Sequence, residues 1–91
     1  MKHEFKKPYT FEDKEYTEIN LDLDGLTGRD ISEAKKVWTS EGGFAVIPAV
    51  DSDFCAAVAA RAAKLPLEFF LGLPAKEYTK ITQAVSNFLI G

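Results

Sequence analysis

With only one cysteine, Cys55, the chain cannot close an internal disulfide, which agrees with a reducing compartment. Its one histidine, His3, stands in a charged N-terminal stretch with no second group to orient it, so triad or acid–base chemistry has no foothold. A basic excess is missing as well. Eleven Lys and Arg residues face 14 Asp and Glu, a net charge of -3, and no basic field is available to hold a phosphate backbone. Nucleic acid is therefore not an expected partner. Apolar runs are broken by Lys, Glu or Pro well before the ~18 residues that would mark a membrane span, and Met1 to Pro8 lacks the apolar stretch of a secretory signal. These absences predict a cytoplasmic protein with no membrane partner. Neither a phosphate-cradling glycine loop nor a zinc-ligand cluster occurs, so no cofactor and no catalytic residues are expected.

What remains is apolar patterning on 91 residues, enough for one domain that hides a little over ~60% of its unfolded surface. Residues 1–8 read as a flexible polar arm with Phe5 its one anchor, and residues 9–91 as a single domain. Tyr9 and Phe11, then Tyr16 to Leu23, alternate as the strands of a hairpin whose tip is placed at Asp13-Lys14. Thr27 and Asp30 form a capping box for a helix over Gly28 to Glu41, with Ile31, Ala34, Val37 and Trp38 on its inner face. Gly42-Gly43 ends that helix, and Phe44 to Val50, interrupted by Pro48, reads as an extended connection. Asp51 opens an alanine-dense helix that Pro66 limits near Lys64, a short helix bridges Pro66 to Leu71, and Pro74 and Gly91 bracket the last one. The predicted fold is α+β: an N-terminal β-hairpin followed by a compact bundle of three main helices and a short linker helix.

Several residues invite a functional reading. Asn20-Leu21-Asp22-Leu23-Asp24-Gly25 matches the start of a calcium-binding loop, yet the bidentate position is Ile31 and no helix precedes it, so a charged outer strand face is the better account. Asp51 and Asp53 are explained by helix capping, and Cys55 by a small buried side chain. The final helix carries Tyr78, Ile81, Val85, Phe88 and Leu89 at helical spacing, and burial of Trp38 and Phe88 is expected. Leu65, Leu67, Phe69, Phe70, Leu71 and Leu73 crowd more apolar bulk into a short stretch than one inward face can hide. Adjacent on a helix, Phe69 and Phe70 are expected to point different ways, leaving one exposed. Phe69, Phe70 and Leu73 are accordingly candidate protein-binding residues, with Phe88 and Leu89 behind them. Ala56, Ala59, Ala60 and Ala63 leave a smooth face on which a second copy could dock by self-association.

The Tyr16 to Leu23 strand, the Leu26-Thr27-Gly28-Arg29-Asp30 helix start, Leu65-Pro66, Leu73-Pro74-Ala75-Lys76-Glu77-Tyr78 and Val85-Ser86-Asn87-Phe88-Leu89 together carry a resemblance. From about Tyr9 to Ile90 the chain resembles the tail assembly chaperones of long-tailed phages, small proteins encoded upstream of the tape measure protein. The resemblance implies a non-enzymatic chaperone in the host cell cytoplasm. It would bind the tape measure protein and keep it soluble until the tail tube polymerises. Similar families make a longer frameshifted product whose extension recruits the tail tube protein. From the residues alone, the alternative is a small adaptor or regulatory domain whose hairpin edge pairs with a peptide strand.

Overall fold

The computed structural model describes residues 1–40, 42 and 51–91. Two antiparallel strands, β1 (Lys2–Phe11) and β2 (Lys14–Asn20), precede helices α1 (Gly28–Ser40), α2 (Ser52–Ala63), α3 (Leu67–Leu71) and α4 (Ala75–Ile90). This is the expected α+β arrangement. The connection expected over Phe44 to Val50 lies outside the described residues, as do Glu41 and Gly43.

The hairpin differs from expectation at both ends. Its turn is Glu12-Asp13, because Phe11 pairs with Lys14 and both turn residues take positive φ, 49° and 64°. Two left-handed residues are what a two-residue turn needs to match the twist of its strands. The first strand starts at Lys2, so most of residues 1–8, expected as a flexible polar arm, lies within β1, with Lys2, His3 and Glu4 paired to β2. His3 lies opposite Ile19 and Glu4 opposite Glu18, with an irregularity between Glu4 and Tyr9. That irregularity takes up Pro8, which has no N–H to give a ladder. Strand β2 ends at Asn20 rather than Leu23, but Met1 and Leu21 still exchange hydrogen bonds of 2.7 and 2.6 Å. Beyond the strand, Leu21 and Leu23 remain buried.

The helix ends follow short-range chemistry. Thr27 N–H donates to Asp30 Oδ2 at 2.9 Å and Asp30 N–H donates to Thr27 Oγ1 at 3.4 Å, the reciprocal box that starts α1. Asp51 accepts from the N–H groups of Asp53 and Phe54, which starts α2. Lys64 closes α2 in the left-handed conformation, its N–H reaching the Ala60 and Arg61 carbonyls. Pro74 precedes the first turn of α4, and the Gly91 N–H returns to the Asn87 carbonyl.

Helix α2 is the centre of the molecule, packed against α1, α3, α4 and β2. Phe54, Cys55, Ala56, Ala57, Val58, Ala59, Ala60 and Ala62 are all buried, since small side chains on several faces let several elements approach at once. Two polar links fasten its neighbours. Arg61 Nε lies 3.0 Å from Asp30 Oδ1, joining α2 to α1, and the Tyr78 hydroxyl donates to Asp53 Oδ1 at 2.6 Å, joining α4 to α2.

Phe69 and Phe70 correct the expectation that one of them faces solvent, being 0% and 1% exposed. The reason is the layer order: α3 lies between the hairpin and the helices, so it has two buried sides. The Phe69 ring meets those of Tyr9, Phe11 and Tyr16 edge-on, with centroids 5.1, 5.3 and 4.9 Å away. Gly72 makes room for this seat. A Cβ there would lie 2.7 Å from the Tyr9 hydroxyl, which donates to the Phe69 carbonyl at 2.9 Å.

Candidate functional site

The apolar residues singled out from the sequence fall into two groups. Phe69, Phe70 and Leu73 belong to the core and present no open surface in this conformation. Phe88 is 41% exposed, which corrects its expected burial, and Leu89 is half-buried. Along α4 the inward row is Ile81 and Val85, both 0% exposed, and its next member at the same spacing is Leu89. Phe88 sits one position off that row and is rotated outward with Ile90. Trp38 is buried as expected, edge-on to Phe54 with centroids 5.4 Å apart.

The alanine face is largely used within the chain. Ala56 and Ala59 have no exposed surface and Ala60 little, while Ala63 is half-buried. Ala56 and Ala59 are thus packed within the chain, whereas Ala60 and Ala63 each line an open cleft.

Sequence reasoning missed a cleft of about 490 Å³ between α1, α2 and the segment leading into α3. Ala34, Val37, Ala57, Ala60, Leu65 and Leu67 give it an apolar lining, and Asp30, Arg61 and Lys64 add charge. Val37, expected on the inner face of α1, is instead 46% exposed. Its neighbour Trp38 occupies the core, and adjacent helical positions cannot share one direction. The signal was present in the surplus of leucines around Pro66, but which α1 residue would meet them depends on how α1 crosses α2. The Asp30–Arg61 pair fixes the charge in this cleft. Its backbone hydrogen bond from Thr27 and then the Arg61 guanidinium hold the Asp30 carboxyl below its ordinary range.

The groups that could have suggested chemistry are engaged in structure. His3 is held, contrary to expectation, with Nε2 3.0 Å from Glu77 Oε1. Glu77 is also buried, and its Oε2 accepts the Lys6 N–H at 2.9 Å. That backbone donor, with help from His3, holds the carboxyl below its ordinary value against the opposing effect of burial. Burial and the nearby Asp51 charge push the Cys55 thiol up to about 11, so the thiolate that reacts with electrophiles is scarce at neutral pH. Asp22 turns back to accept the Gly25 N–H at 3.2 Å, and no cluster of three or more potential metal ligands exists among the described residues. No described helix is long and apolar enough to cross a membrane. The arrangement offers an apolar cleft and outward apolar side chains.

No curated protein and no solved structure matches the chain. The family model described as phage tail assembly chaperone proteins, E, or 41 or 14, matches residues 2–90, nearly the whole length, and the chain belongs to that family.

Proposed function

We propose that this chaperone binds the tape measure protein and keeps it soluble until tail tube subunits polymerise around it. The observation that carries the reading is the cleft with Val37 open at its side, together with Phe88 and Ile90 turned outward at the end of α4. A long helical client has apolar stripes that need cover before assembly, and a helix laid in an apolar groove buries such a stripe. Asp30, Arg61 and Lys64 would then flank the client's polar side. Phe69, Phe70 and Leu73 contribute to the core, Phe69 by seating the hairpin, rather than to this surface.

The test is co-expression with the tape measure protein, using Val37→Glu and Phe88→Glu, each first checked for an unchanged thermal midpoint. Loss of an apolar anchor from an interface costs about 2 kcal/mol, roughly thirtyfold in affinity. At least one folded variant should leave the tape measure protein in the insoluble fraction. If both folded variants keep as much of it soluble as the parent protein does, the cleft and the α4 end are not the client surface.

A further inference from the structure

A second surface lies where β1 meets the start of α4. Lys6 and Lys7 of β1 and Lys76 and Lys80 of α4 line two adjoining clefts of about 360 Å³ each, with Pro74, Ala75 and Thr79 between them. All four lysines are exposed, and none is within ion-pair distance of a carboxylate among the described residues. The one acid in the lining is Glu77; its two oxygens face His3 and the Lys6 N–H, and its charge offsets only part of that of Lys80. The lysines thus outnumber the acid in a chain whose net charge is -3.

Such a cluster works against the fold. Lys76 and Lys80 are one turn apart on α4, a spacing at which like charges destabilise a helix, and Lys76 stands in its positive first turn. Consecutive Lys6 and Lys7 are then brought to the same place. Repulsion without compensating ion pairs is relieved when a partner brings negative charge.

We infer that this cleft docks an acidic segment of a partner protein, with glutamate or aspartate side chains meeting Lys6, Lys7, Lys76 and Lys80. An apolar residue of the same segment rests on Pro74, Ala75 and the lysine stems. Carboxylates are favoured over a phosphate backbone for two reasons. The remaining charge of the protein is strongly acidic and repels a polyanion that extends beyond the cleft. The lining also contains no aromatic ring on which a base could stack. This surface uses none of the residues that line the α1–α2 cleft, so it can operate while that cleft is filled.

The experiment is fluorescence polarisation with a labelled glutamate-rich peptide carrying one leucine. Saturable binding is expected that weakens as salt is raised. The double variant Lys76→Glu, Lys80→Glu should bind about tenfold more weakly or worse, since two attractions become repulsions. Its thermal midpoint should not fall. Lys35→Glu with Lys36→Glu, a charge reversal of equal size on α1, should bind like the parent protein. Absence of saturable binding overturns the inference, as does equal weakening by the α1 reversal. So does an oligonucleotide of matching charge that binds as tightly as the peptide with the same dependence on Lys76 and Lys80.

Discussion

Replacing Phe69 by alanine should remove the seat of the hairpin. The side chain is fully buried, and its ring touches five others, those of Phe5, Tyr9, Phe11, Tyr16 and Phe70, at centroid distances from 4.9 to 6.4 Å. Phe→Ala in a core costs about 3–5 kcal/mol, and each well-placed aromatic pair adds about 0.5–1.5 kcal/mol beyond buried area. The upper half of that range is expected because the cavity would be walled by rings from both strands and from α3, which cannot all move inward together. A domain of this length has about 5–14 kcal/mol to lose in total. At about 4–8 °C per kcal/mol, the melting temperature should fall by some 15 °C or more. Urea unfolding followed by far-ultraviolet circular dichroism measures the loss, and Leu71→Ala on the same short helix is the control. Leu71 is 45% exposed, so its truncation should cost no more than about 1 kcal/mol. A Phe69→Ala protein within about 1 kcal/mol of the parent would mean that the aromatic cluster does not hold hairpin and helices together.

Glu77→Gln tests the link between β1 and α4: it should cost about 1–3 kcal/mol at neutral pH, the worth of hydrogen bonds to a charged group. Because the folded carboxyl lies below its ordinary value of 4.5, its contribution is complete above that pH and lost as pH falls through the folded value. The gap between the urea midpoints of parent and variant should therefore narrow in acid, and a gap that stays constant refutes the assignment. Glu12→Asn with Asp13→Gly should stabilise the hairpin by about 1 kcal/mol, because both positions have positive φ and neither parent residue is best suited to it. A thermal midpoint that does not rise would show that the turn is not under backbone strain.

Features set by near neighbours in the chain were legible in the sequence. Thr27 and Asp30, Asp51 with Asp53, Pro66, Pro74 and Gly91 each act within a turn, and the helices start and stop beside them. What was not legible depends on distant partners. Residues 2–8 look like a polar arm because Lys, His and Glu give no apolar alternation, yet their order comes from pairing with β2 and from Glu77, more than 70 residues away. The same is true of Phe69 and Phe70. Their adjacency argues that both cannot face inward, yet both are covered, because the hairpin rings pack on Phe69 and Phe70 packs edge-on against Phe69. For the candidate site, the apolar surplus between Leu65 and Leu73 was visible as a quantity. Its division into core and surface was not.

That division bears on how much contiguous apolar surface the protein exposes. Phe69 and Phe70 side by side at the surface would form, with Leu71 and Leu73, a contiguous apolar patch of the kind through which small proteins aggregate. Instead both rings are buried, Phe69 against the hairpin, and among the described residues the exposed large apolar side chains Met1, Val37, Leu71, Phe88 and Ile90 are spread over the N-terminus, α1, α3 and α4. Where Val37 does adjoin other apolar residues, in the α1–α2 cleft, the charged groups of Asp30, Arg61 and Lys64 accompany it. Under the proposed function, a client that brings its own apolar stripe would cover these side chains by burying them against its own.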